Sequence, residues 1–134
     1  MIAFLVELEN RVGSAAEVAE AIADRGINIT AGAGLACGSS GQMALTTNDE
    51  AGTRRLLLSR GSRFREIELV PISLTDAPGT FARTCRALAD AKITIEAVFA
   101  MAASGDRNTM AFATDDPARA RSILGQKALT GSGR

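Results

Sequence analysis

Residues 6–29 and residues 72–95 superimpose without a gap at an offset of 66. Val6 and Leu8 fall on Ile72 and Leu74, Asn10 on Asp76, Gly13 on Gly79, Ser14 on Thr80, and Ile22 on Leu88. Ala23-Asp24 falls on Ala89-Asp90, and Ile27-Asn28-Ile29 on Ile93-Thr94-Ile95. The unit is too long for a solenoid repeat and occurs only twice, so the chain reads as a duplicated small domain.

Apolar periodicity gives both halves the same elements. Phe4 to Leu8 ends in alternation and reads as a strand, whereas Val18, Ala19, Ile22 and Ala23 recur at helical spacing up to Gly26. Ile27 to Ala36 is then a second strand, Gly38-Ser39-Ser40-Gly41 a hairpin turn, and Met43 to Thr47 a third strand. A helix from Asp49 to Arg60, with Leu56, Leu57 and Leu58 inward, and a strand from Phe64 to Val70 complete the half. The second half repeats this with Ile72–Leu74, a helix from Pro78 to Ala91, and Ile93–Met101. A turn at Ser104-Gly105-Asp106, Thr109–Thr114, a helix from Asp116 to Leu124 and a weak last strand, Lys127–Thr130, follow.

The order βαββαβ is that of the ferredoxin-like motif, an antiparallel sheet with two helices on one face. The fold expected is therefore α+β, with two such units side by side: residues 1–69, residues 70–130, and a flexible tail at 131–134. Ile67 and Leu69 alternate in one parity and Ile72 and Leu74 in the other, so the inward face flips near Val70-Pro71. A bulge or a sheet-edge proline would produce that flip.

At 134 residues the chain can bury roughly 65–70% of its unfolded surface, enough for a stable core. Formal charge is zero but unevenly spread. Glu7, Glu9, Glu17, Glu20, Asp24, Asp49 and Glu50 face only Arg11 and Arg25 in the first fifty residues, while Arg54, Arg55, Arg60, Arg63 and Arg65 cluster without an acid among them. With no Trp, no Tyr and no basic excess, a nucleic-acid partner is not expected. The start of the chain carries no leader pattern and no apolar run approaches a membrane span, so a soluble cytoplasmic protein is expected.

Chemistry is mostly absent. The chain has no histidine, hence no histidine-based triad and no histidine metal ligand, and its two cysteines, Cys37 and Cys85, make neither a zinc site nor a disulfide framework. Cys85, at helical spacing from Phe81 and Leu88, reads as a small buried hydrophobe. Asp49-Glu50 and Asp115-Asp116 open helices, where capping and the helix dipole explain them. Gly32, Gly34 and Gly38 lack dinucleotide-binding spacing and context. Val98, Ala100 and Ser104 occupy the matching positions, so a close approach to the backbone is expected in the first half only. No catalytic residues, no cofactor and no metal are expected.

What remains is the turn from first strand to first helix: Leu8-Glu9-Asn10-Arg11-Val12-Gly13-Ser14 in one half, Leu74-Thr75-Asp76-Ala77-Pro78-Gly79-Thr80 in the other. A small polar residue before an x-Gly or Pro-Gly pair opens the helix, and 18 residues later a polar residue stands between branched aliphatics. This pattern, clearest in Asp-Ala-Pro-Gly-Thr-Phe with Ala-Leu-Ala-Asp-Ala-Lys-Ile-Thr-Ile, resembles the ACT domain family and covers both halves. The chain is similar to free-standing tandem members of that family.

The resemblance implies a non-catalytic protein that senses an amino acid or similar metabolite at an interface between ACT units and regulates amino-acid metabolism, as a homodimer. The family's turn and strand asparagines match Asn10 and Asn28, with Asp76 and Thr94 in the second half. The implied ligand-binding set is Asn10, Arg11, Val12, Gly13, Ser14, Asn28, Asp76, Ala77, Pro78, Gly79 and Thr94. Amides can hold a zwitterion, helix N-terminal amides near Gly13 and Ser14 its carboxylate, and Asp76 its ammonium. The family's serine-binding pattern has histidine where Leu8 stands and usually proline where Val12 stands, so the resemblance does not single out serine. Each residue also has a plain reading: Asn10 and Asp76 as helix caps, Asn28 and Thr94 as polar strand residues. The alternative function is a regulatory subunit or adaptor whose Arg54–Arg65 stretch meets an acidic surface on a metabolic enzyme.

Overall fold

In the computed structural model, which describes residues 1–130, the opening alternation becomes β1 (Ile2–Glu9). There follow α1 (Ser14–Asp24), β2 (Ile29–Cys37), β3 (Ser40–Thr47), α2 (Glu50–Ser59), β4 (Phe64–Thr75), α3 (Thr80–Asp90), β5 (Ile95–Ser104), β6 (Arg107–Thr114) and α4 (Pro117–Thr130). This is an α+β fold of antiparallel ladders with four helices among the described residues. It divides into two compact units between Ile67 and Glu68, two residues before the division expected from sequence.

In unit 1 the ladder runs β2-β3-β1, and Glu7 N–H donates to Arg63 O at 2.9 Å where β4 begins. Phe4 and Val6 of β1 and Leu45 of β3 bury against Val18 and Ile22 of α1 and Leu56 and Leu57 of α2, so both helices cover one sheet face. In unit 2 the ladder runs β4-β6-β5, and Val70, Ile72, Leu74 and Phe112 meet Leu88 of α3 with Ala120 and Leu124 of α4. Cys85 packs at the edge of this second core, and burial pushes its thiol pKa up. Cys37 and Cys85 are both free.

The repeat persists in three dimensions, with a shift. Val6/Ile72, Ile22/Leu88 and Ile27/Ile93 are core equivalents at the offset read from sequence, but Leu45 matches Phe112 and Leu57 matches Leu124, one residue further on. The extra residue enters at the register irregularity between Ala100 and Ala102 in β5; β2 has only the earlier irregularity, Ile29/Ala31, which both strands share as Ile95/Ala97. Gly38 therefore corresponds to Gly105, not Ser104. Both have left-handed backbone, φ 61° and 60°, in two-residue hairpins between Cys37 and Ser40 and between Ser104 and Arg107. What approaches Gly32 is its own neighbouring strand: a Cβ there would stand 3.3 Å from Ala44 O.

Several expectations are corrected. The segment Lys127–Thr130 is the last turn of α4, not a strand, so among the described residues unit 2 has no closing strand of its own. Gly125-Gln126-Lys127-Ala128-Leu129 offers no proline or turn cluster to stop the helix, and Gln, Lys, Ala and Leu are good helix formers. The tail at 131–134 lies outside the described residues. The strands expected at Phe64–Val70 and Ile72–Leu74 are one continuous strand, and its pairing with β6 runs from Leu69 to Thr75 without a register shift. The face does flip, because Ile67 and Leu69 are buried on one side and Val70, Ile72 and Leu74 on the other, but no bulge in that ladder makes it. Leu58 is 64% exposed: three consecutive residues at helical spacing cannot share one face. Asn28 and Thr94 lie just before β2 and β5, not within them.

Candidate ligand-binding site

The turn that opens each helix is built alike. Gly13 and Gly79 are the N-caps, with φ 92° and 87°, and neither helix receives a side-chain cap. Capping is therefore not what Asn10 and Asp76 do. Asn10 Nδ2 donates to Gly38 O at 2.8 Å and its N–H to Ser39 O at 2.9 Å, bolting the turn to the β2–β3 hairpin. In unit 2 the Asp76 N–H makes the matching bond to Asp106 O at 2.6 Å.

Arg11 is committed within the turn. Its Nη2 and Nη1 donate to Glu17 Oε2 and Oε1 at 2.9 and 3.1 Å, and its Nε to Glu9 Oε2 at 3.2 Å. The hydrogen bond to Arg11, then its charge, holds the Glu17 carboxyl below its ordinary range, and the same contact raises Arg11. Val12 is fully exposed at the tip.

Asn28 lies at the far end of the unit. Its N–H donates to Asn48 Oδ1 at 2.9 Å, and the Asn48 N–H returns to Asn28 O at 3.1 Å. Thr94 and Asp115 repeat this at 2.9 and 3.2 Å. Asn28 itself is exposed. The length of α1, roughly 16 Å at 1.5 Å per residue, separates Asn10 from Asn28, so one small molecule cannot touch both within one unit. The structure thus brings together Asn10, Arg11, Val12, Gly13 and Ser14 at the hairpin end of unit 1, and Asp76, Ala77, Pro78 and Gly79 at that of unit 2. It sets Asn28 and Thr94 apart.

A cleft of about 720 Å³ opens at the hairpin end of unit 1. Glu7, Leu8 and Glu9 of β1, Arg11, Ser14, Glu17 and Val18 of the turn and α1, Ser39 to Gln42 of the hairpin, and Arg60 to Arg63 after α2 line it. Ser14 is 7% exposed, and its Oγ is buried without a hydrogen-bond partner. Of the expected residues only Arg11 and Ser14 reach this cleft. The hairpin serines and Arg60–Arg63 were not singled out as ligand-binding. The arginine cluster was visible in sequence, but nothing there linked it to a turn some fifty positions earlier.

Among the described residues no group of three or more histidines, cysteines or acids could hold a metal, and no helix is long and apolar enough to cross a membrane. No protein-family model and no curated protein sequence matches the chain. Solved structures do. Protein BT0572 from Bacteroides thetaiotaomicron matches with a TM-score of 0.82 at 21% identity, over 94% of this chain and 87% of that one. The ligand-free regulatory subunit of aspartate kinase from Thermus thermophilus matches with a TM-score of 0.70 at 21% identity, over 99% and 91%. A structure of aspartokinase alpha and beta subunits matches with a TM-score of 0.69 at 18% identity, over 96% and 92%. The chain shares the fold of these proteins along nearly its whole length.

Proposed function

We propose that this chain is a regulatory protein without catalytic activity of its own, which senses an amino acid or similar small metabolite through ACT-like, ferredoxin-like units and so controls amino-acid metabolism. The observation that carries the reading is the end-to-end match in fold to a whole regulatory subunit, 99% of this chain on 91% of that one. The duplicated turn adds to it.

Asn10 and Asn28 each occur once per chain and stand at opposite ends of unit 1. A ligand held by both amides must therefore meet them on two copies of the chain, which makes a cytoplasmic homodimer part of the proposal. The turn residues Arg11, Val12, Gly13 and Ser14, with Asp76, Ala77, Pro78, Gly79 and Thr94 of unit 2, complete the proposed set. Dialysis of the purified protein against an equimolar amino-acid mixture tests the reading. Retention of one chemical class supports it, and equal concentrations on both sides for every amino acid overturn it.

A second reading, an adaptor for a metabolic enzyme, is favoured by the likeness to a structure that contains aspartokinase alpha and beta subunits together. Arg54 is spent on Glu66, whose carboxylate it engages through Nε at 2.9 Å, but Arg55, Arg60 and Arg63 are exposed. Co-purification with an amino-acid-metabolising enzyme, lost on Arg55→Glu with Arg60→Glu, would support this reading. Co-purification unchanged by the reversal would count against it.

A further inference from the structure

The duplication gives each unit an outer strand, and the two strands differ as edges. Among the described residues β2 pairs only with β3 and β5 only with β6, so each leaves one side of its backbone open. A bare edge is a template for another strand, and chains that stay apart blunt it with charge, proline or a bulge. Beyond its irregularity at Ile29/Ala31, β2 has none of these. Ile29-Thr30-Ala31-Gly32-Ala33-Gly34-Leu35-Ala36-Cys37 contains no charged residue and no proline, and residues 31–37 pair with residues 46 to 40 of β3 without a break. Residues 32–37 are all exposed, and Leu35, at 78%, leaves a branched apolar side chain in water.

β5 is the corresponding strand with its edge interrupted. Its Ala100 pairs with Met110 and its Ala102 with Thr109, so Met101 is left over as a bulge, and a second irregularity lies at Ile95/Ala97. Only residues 97–100 and 102–104 run in register, and Glu96 adds a charge. Met101 is the residue by which unit 2 exceeds unit 1, and β2 has no equivalent of it. A bulge bends its strand, so a straight incoming strand loses its match after a few residues.

We infer that β2 is an interface with a second copy of this chain, paired antiparallel to the same strand about a two-fold axis near Ala33, and that the extra residue in β5 stops assembly at two copies. Ala-Gly-Ala-Gly offers no side-chain pocket by which a foreign peptide would be selected, whereas one strand paired with itself is self-complementary. The pairing also supplies the meeting of two copies that the proposed sensing role requires. With the axis at the middle of β2, Asn28, just before the strand, comes beside Gly38 of the other copy, just after it, and Gly38 O holds the Asn10 amide. The inference rests on that role for the placing of the axis and on the bare edge for the surface. A chain with two bare edges would pair at both and grow into open-ended ribbons, but one bare and one bulged edge close as a dimer.

Light scattering on the size-exclusion eluate, together with backbone hydrogen exchange, tests it on the wild type, on Ala33→Lys with Leu35→Lys, and on deletion of Met101. The wild type is expected at twice the chain mass. The double lysine variant is expected at the single-chain mass with wild-type circular dichroism, because its substituted positions are exposed and like charges meet across the axis. Amides of β2 that do not bond β3 should exchange more slowly in the wild type than in this variant, and the outward amides of residues 100–103 equally fast in both. Deletion of Met101 should give masses above the dimer that grow with concentration.

A wild type of single-chain mass at every concentration, or a dimer that the lysines leave intact, would overturn the β2 interface. Slow exchange of the outward β5 amides, or a folded deletion variant that stays a dimer, would overturn the part assigned to Met101. An amino acid retained in dialysis by a single-chain species would overturn the pairing and leave the sensing role standing. A β2-paired dimer that retains none would do the reverse.

Discussion

Asn48 holds Asn28 from both sides: its Oδ1 accepts the Asn28 N–H at 2.9 Å while its own N–H donates to Asn28 O at 3.1 Å. Asp115 does the same for Thr94. The two clasps fix the junction between helix and second strand in each unit, and each relies on a side chain that can accept. Asn48→Ala should therefore cost about 1 kcal/mol, the net worth of one such bond. Asp115→Asn, which substitutes one unit's solution for the other's, should cost less than Asp115→Ala in urea unfolding at constant m.

Among the described residues Lys92 is the non-glycine residue with left-handed backbone, φ 61°, and its counterpart Gly26 adopts φ 70° after α1. An L side chain in that region costs roughly 1 kcal/mol that glycine avoids. Lys92→Gly should raise the unfolding free energy by up to about that amount and Gly26→Ala should lower it similarly. Opposite signs in thermal unfolding are the check.

Glu17 is held below its ordinary carboxyl value of 4.5 by Arg11. A lowered folded-state value means the unfolded chain takes the proton first as pH falls. The contribution of the pair is thus complete above 4.5 and fades as pH drops through the lower folded value. The pair is exposed, so the effect is small. Glu17→Gln should unfold at lower urea than the wild type at neutral pH, and by a smaller margin in acid below 4.5. An equal deficit at both would contradict the linkage.

Asn10 and Asn28 should separate when truncated. Asn10→Ala removes the amide bond to Gly38 O and should cost about 1 kcal/mol of stability. Asn28→Ala leaves its backbone clasp to Asn48 intact, and its exposed side chain makes no bond the fold depends on, so stability should be unchanged within about 0.5 kcal/mol. Thermal unfolding without ligand distinguishes them.

The sequence carried the elements wherever side chains mark them. Val6, Ile22 and Ile27, and their partners Ile72, Leu88 and Ile93, are large apolar residues at matching places, and all are buried. The inserted residue in β5 leaves no mark in the sequence because it falls in Ala100-Met101-Ala102-Ala103, where repeated alanines give no landmark for register. The end of α4 does not declare itself in the sequence because four residues are too few for periodicity to separate helix from strand. Likewise, the sequence leaves helix capping open as the plain reading of Asn10, but the glycine N-cap directs the chain so that the amide meets the hairpin instead. The turn was legible as a local string. The cleft was not, because it is assembled from the turn, the hairpin and the α2–β4 loop, each an ordinary polar surface segment on its own.

The central claim is that the chain senses an amino acid through Asn28. The most direct test is a thermal-shift screen of wild type and Asn28→Ala against the common amino acids, since a ligand that binds only the folded state at 100 times its Kd stabilises it by about 2.7 kcal/mol. The account predicts a rise in Tm from one chemical class that Asn28→Ala diminishes while its own ligand-free Tm stays that of the wild type. A Tm that no amino acid moves, or a shift that Asn28→Ala retains in full, would contradict it.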